Sequence, residues 1–94
     1  MGQEIKRYKA VITGRVQGVG LRVFTKENAE KLDLTGWVKN MPDGTVELEM
    51  QGSAEKLAEL TAIIKKGNFI IKVDTFDSVE IPTVDGEQAF IIKY

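Results

Sequence analysis

Residues 5–13 alternate in polarity. Tyr8, Ala10 and Ile12 share one face, and Arg7, Lys9, Val11 and Thr13 share the other. That period of two predicts a strand buried on one side. The strand ends at Gly14. Three glycines fall within Gly14-Arg15-Val16-Gln17-Gly18-Val19-Gly20, which makes this stretch a poor helix and predicts a shaped loop. From 21 to 34 the period lengthens. Leu21, Phe24, Asn28, Lys31 and Leu32 recur at three- to four-residue spacing, with Thr25 and Ala29 on the same side. Glu27 and Lys31 stand four apart and support the exposed face. This predicts a helix, closed by Asp33-Leu34-Thr35-Gly36.

A second strand is predicted over 37–41, a turn at Pro42-Asp43-Gly44 and a third strand over 45–51. Val46, Leu48 and Met50 alternate with Thr45, Glu47, Glu49 and Gln51, so these two strands read as a hairpin. Ser53 suits a helix N-cap, with Glu55 favoured in the first turn. Leu57, Leu60 and Ile64 then trace an apolar stripe, and Gly67 suits the position after the last turn. Residues 69–73 predict a short apolar strand. Residues 74–81 are open between strand continuation and turn. Asp85-Gly86 marks another turn, and 90–94 a terminal strand. The order is βαββαβ with an extra C-terminal strand. It predicts an α+β, ferredoxin-like α/β sandwich: an antiparallel sheet covered on one face by two helices.

Composition narrows the chemistry. The 94 residues fit one domain, 1–94, and Ile, Val, Leu and Phe number 28 of them. That is above the roughly 20% below which chains tend to stay disordered. There is no Cys and no His, which removes zinc fingers, disulfide scaffolds, thiol nucleophiles and histidine bases. The net charge is −1, so nucleic acid is not an expected partner. Nothing in Met1-Gly2-Gln3-Glu4 resembles a signal peptide, and no apolar run is long enough to span a membrane. A cytoplasmic monomer is the default expectation. The average charge hides an asymmetry: residues 5–22 hold Lys6, Arg7, Lys9, Arg15 and Arg22 and no acid. A small anion would prefer that segment, although solvated strand cations are the plainer reading.

Three arguments meet at the glycine-rich loop. Glycines let successive N–H groups point at one spot. The loop opens into a helix N-terminus, which favours an anion. Arg22 adds a planar donor fork suited to phosphate. The spacing fits neither a Walker A loop, since Val19 and Gly20 occupy its Gly-Lys places, nor a dinucleotide fingerprint, since Val23 stands where a glycine is needed. From the residues alone, a simple strand-to-helix connection with an exposed Arg stays open. So does a turn-opening role for Asn40. Trp37 reads as a packing residue. Asp74, Asp77 and Glu80 read as solvated acids rather than a cation site.

The run Gly14-Arg15-Val16-Gln17-Gly18-Val19-Gly20-Leu21-Arg22 resembles the first signature of the acylphosphatase family, G-R-V-Q-G-V-x-F-R. Gly36-Trp37-Val38-Lys39-Asn40, followed by Asp43-Gly44-Thr45-Val46-Glu47, resembles the second. Phe90-Ile91-Ile92-Lys93-Tyr94 is similar to the ending of many members. The resemblance implies hydrolysis of acyl phosphates to a carboxylate and inorganic phosphate, without metal or cofactor. It maps the essential arginine to Arg22 and the water-orienting asparagine to Asn40. The phosphate cradle maps to the backbone amides of Gln17, Gly18, Val19, Gly20 and Leu21, with Arg15 and Val16 shaping the turn. An acyl phosphate is the implied substrate, and inorganic phosphate the product and inhibitor.

The chain departs from the pattern at three places. Leu21 replaces the usual Phe, Met41 follows Asn40 where several members carry Thr, and Gly67-Asn68 replaces a Gly-Pro. Two rival readings share the resemblance. One is a non-catalytic anion-binding regulatory domain. The other is an interaction module like those at the front of larger hydrogenase maturation factors, which the short chain disfavours.

Overall fold

The computed structural model describes residues 4–94. Residues 1–3, which enter the expectation of no signal peptide, lie outside them. Seven elements follow in order: β1 (Ile5–Arg15), α1 (Leu21–Lys31), β2 (Thr35–Asn40), β3 (Val46–Ser53), α2 (Ala54–Lys66), β4 (Lys72–Ile81) and β5 (Phe90–Lys93). The strands form one sheet in the order β4-β1-β3-β2-β5.

One face of the sheet carries the core. Ala10 and Ile12 of β1, Val38 of β2, and Val46, Leu48 and Met50 of β3 are all buried on it. Leu21, Thr25 and Ala29 of α1 and Leu57, Leu60 and Ile64 of α2 are the buried helical positions. Helix α2 begins as its sequence dictates, with the Ser53 hydroxyl accepting from the Lys56 amide at 3.4 Å. Gly36 lets β2 approach β3. Its φ is 142°, and a Cβ there would overlap the Glu49 carbonyl oxygen, so the glycine of the Gly36-Trp37 run is a packing requirement.

The sheet is not wholly antiparallel. β5 pairs parallel to β2, with Gly36 opposite Phe90 and Lys39 opposite Lys93. The cause is the route of the chain. β4 and β5 occupy opposite edges, so residues 82–89 must cross the sheet. They cross the face opposite the helices and start β5 alongside the start of β2, where the Gly36 amide donates to the Ala89 carbonyl.

That crossing overturns the one-sided reading of β1. Arg7 lies on the face away from the helices yet is only 2% exposed. Its Nε donates to Glu49 Oε1 at 2.8 Å. Nη1 and Nη2 grip both oxygens of Glu87 at 2.8 and 3.2 Å. Gln51 accepts from Arg7 Nη1 and exchanges two further hydrogen bonds with the backbone of Val84. The crossing segment is therefore strapped to the sheet by polar groups, and Arg7 is no solvated strand cation.

The expected strand over 69–73 is also corrected. The sheet begins only at Lys72, and the open segment 74–81 is strand throughout. Asn68 causes the shift. Its Oδ1 accepts from the amides of Ile70 and Ile71, and its own amide donates to the Ile71 carbonyl. This turn buries Ile71 and leaves Phe69 97% exposed. Among the described residues no helix is long and apolar enough to cross a membrane.

Candidate active site

The end of β1, the start of α1 and the ends of β2 and β5 meet at one end of the sheet. They enclose a cavity of about 100 Å³. Gly18, Gly20, Leu21 and Arg22 line it from the loop and helix, Asn40 from the last position of β2, and Ile92 and Tyr94 from the terminal strand. The loop residues Gln17 and Val19 are not part of this lining.

The loop is shaped by its own residues. Val16 is buried and pins the loop to the core. Gly20 sits at φ 80° as the residue before α1, with no side-chain cap on the helix. The Phe24 amide makes the first helical bond, to the Gly20 carbonyl at 3.0 Å. The amides before it have no carbonyl one turn back to take them, and they point out of the helix end. The first turn of α1 contains no acid, so its positive dipole end and the Arg22 charge add without cancellation.

The cationic segment 5–22 divides in the fold. Lys6 pairs with Glu4 and Glu80, Lys9 with Glu47, and Arg7 with Glu49 and Glu87. Among the described residues Arg15 and Arg22 have no carboxylate within ion-pair distance. The two cations nearest the loop are thus the ones left for an external anion. Arg22 is instead overlaid by the Tyr94 ring, with the guanidinium carbon 5.0 Å from the ring centroid.

Asn40 is the most telling polar group. Its Oδ1 is buried and has no hydrogen-bond partner among the described residues. A buried acceptor left unmatched costs about 1–3 kcal/mol, so this group on a residue that lines the cavity stands out among the polar groups of the site.

Gln17 holds the two halves of the site together. Its side-chain amide donates to the carbonyls of Met41 and Thr45 at 2.7 and 2.8 Å. The turn it grips is itself closed by Asp43, which accepts from the Thr45 hydroxyl and amide at 2.7 and 3.0 Å. Those two bonds hold the Asp43 carboxyl below its ordinary value. The brace uses the backbone of Met41, so the missing hydroxyl at that position does not loosen it. Leu21 is 1% exposed and fills its place in the core.

Sequence spacing does not show the Gln17 brace, nor the Val23, Ile92 and Tyr94 side of the cavity. Both depend on strands brought together from distant parts of the chain. Asp74, Asp77 and Glu80 do not converge, and no cluster of three metal-ligating side chains occurs among the described residues.

The sequence model of the acylphosphatase family matches residues 8–92. An acylphosphatase from Clostridium beijerinckii is 49% identical over 88 residues, which cover 94% of this chain and 98% of the relative. The crystal structure of acylphosphatase from Bacillus subtilis superposes with a TM-score of 0.89 at 36% identity, covering 97% of this chain and 100% of that one. Full-length HypF, in a phosphate- and nucleotide-bound form, matches with a TM-score of 0.86 at 27% identity. That match covers all of this chain but only 12% of HypF. With a family match over nearly its whole length, and relatives of its own size, the chain belongs to the acylphosphatase family of enzymes.

Proposed function

We propose that the enzyme hydrolyses acyl phosphates by direct attack of a water that Asn40 orients on a phosphoryl group held by Arg22 and the loop amides. The observation that carries this reading is that Asn40, whose side-chain Oδ1 is buried without a partner among the described residues, lines the same cavity as Arg22. An amide oxygen accepts a hydrogen bond but is no base at neutral pH. Its part is to aim the water, with a proton passing to a phosphoryl oxygen as the new P–O bond forms. The old P–O bond breaks toward the acyl oxygen, and a carboxylate leaves. That leaving group is a stable anion, so no acid need protonate it.

Phosphoryl transfer through a loose transition state needs position and charge stabilisation above all. Arg22 spans two phosphoryl oxygens with its planar fork. The amides of Gln17, Gly18, Val19, Gly20 and Leu21 and the end of α1 supply fixed dipoles. Gln17 holds the loop against the turn after Asn40, which sets the distance between water and phosphorus. The reading takes the enzyme as a cytoplasmic monomer.

Asn40→Ala tests the assignment. We expect kcat for acetyl phosphate to fall about a hundredfold, with the inhibition constant of inorganic phosphate unchanged within about twofold. EDTA should leave the parent rate unaltered. If Asn40→Ala turns over at the parent rate, the water is held elsewhere. If the parent binds phosphate saturably but hydrolyses no acyl phosphate, the site is an anion-binding one without catalysis.

A further inference from the structure

The cavity is too small for a whole substrate. At about 100 Å³ it is well below the ~300–1,000 Å³ of pockets that enclose a complete organic ligand. It takes a phosphoryl group, and the acyl part must project from it. The chemistry of the cavity's border therefore decides which acyl groups are welcome.

That border is two-sided. The polar side consists of the loop, Arg22 and Asn40. The other consists of Val23, Ile92 and Tyr94. Val23 is 53% exposed and Tyr94 91% exposed, so both present apolar area to solvent rather than to the core. Tyr94 lies with one ring face toward the Arg22 guanidinium and so offers the other face outward. Among the described residues no carboxylate, lysine or second amide side chain lines this cavity. A charged or strongly polar acyl chain would find no partner on the Val23, Ile92 and Tyr94 side, whereas a flat or branched apolar one would cover exposed apolar surface there.

From this arrangement we infer that Tyr94, Ile92 and Val23 form the acyl subsite, and that the enzyme prefers acyl phosphates with aromatic or branched apolar acyl groups. The inference rests on the acyl-phosphate reading above and extends it to substrate class. Tyr94 and Val23 set specificity in this scheme. They take no part in the bond-breaking step.

The test compares kcat/KM for benzoyl phosphate and acetyl phosphate in the parent, Tyr94→Ser, Val23→Ser and Tyr94→Phe. The intrinsic reactivities of the two substrates cancel when their ratio is compared between proteins. We expect the benzoyl-to-acetyl ratio to fall about tenfold in Tyr94→Ser and severalfold in Val23→Ser, mainly through a raised KM for benzoyl phosphate. Tyr94→Phe should keep the parent ratio, because the ring and not the hydroxyl makes the surface. Inhibition by inorganic phosphate should move by less than about twofold, since an exposed stack on arginine contributes little. An unchanged ratio in both serine variants would overturn the inference. So would an equal loss for both substrates and for phosphate, which would assign Tyr94 to holding Arg22. A parent that turns over neither substrate would instead overturn the acyl-phosphate reading, and this inference with it.

Discussion

Arg22→Lys is expected to lower kcat/KM for acyl phosphates by about a hundredfold or more and to weaken inhibition by inorganic phosphate. Charge is conserved in this change but geometry is not. The guanidinium offers paired donors in one plane, matched to two phosphoryl oxygens, while an ammonium is a compact point charge on a flexible stem. Among the described residues no other cation lines the cavity, and Arg15, the other unpaired cation near the loop, is not part of its lining. The substitution also removes the partner of the Tyr94 ring. Lysine and arginine have similar helix propensities, so the unfolding midpoint should stay close to the parent value. Steady-state kinetics together with urea unfolding separate the two effects. A lysine variant with parent kcat/KM would show that Arg22 supplies no more than general positive charge.

The largest effect on folding is expected at Arg7, remote from the chemistry. Arg7→Met should cost about 3–5 kcal/mol, out of a total that is about 5–15 kcal/mol for a domain. The substitution leaves the carboxylates of Glu49 and Glu87, whose side chains are 21% and 19% exposed, without their shared cation. It also frees the strap over 82–89, and with it the approach of β5 to β2. Urea unfolding at neutral pH measures the loss. A value within about 1 kcal/mol of the parent would mean the cluster is solvated in solution.

The same cluster predicts an acid limb. Burial pushes the Glu87 carboxyl up, but hydrogen bonds from Arg7 and Thr35 and the charges of Arg7 and Lys93 outweigh it and hold the group below its ordinary value. Burial likewise pushes the Arg7 guanidinium down, and Glu87 and Glu49 more than reverse it. A lowered carboxyl stabilises the fold fully above its unfolded value of about 4.3. That contribution is lost as pH falls through the lowered folded value. Glu87→Gln should therefore be less stable than the parent at neutral pH and show a flatter decline in acid.

Much of the site is visible in the residues because it is local. The loop over 14–20, the helix that follows and Arg22 lie within one short stretch, and glycine chemistry plus a helix N-terminus make an anion site one of two local readings, which the family pattern then separates. Asn40 differs. On spacing alone it reads better as a turn opener, and only the family pattern singles it out. Only its unmatched buried oxygen gives it a physical reason to bind something. The caps of α2 are legible for the same local reason. Ser53, the Leu57–Leu60–Ile64 stripe and Gly67 act within a few turns of one another.

The sequence by itself determined the order of the elements, the glycine-rich loop and the places of Arg22 and Asn40 in the family motifs, because each belongs to a short continuous run of residues. Tertiary structure alone decided the parallel β5, the buried Arg7 cluster, the Gln17 brace and the Tyr94 wall. Arg7 and Glu87 stand 80 residues apart, and Gln17 and Met41 stand 24 apart. Alternation places Arg7 on the solvent face of β1, and that is where the strand puts it. The chain then returns across that face and turns solvent into protein. No local pattern records such a return, because the pairing is fixed by the path of the whole sheet and by the desolvation it imposes on whatever lies beneath.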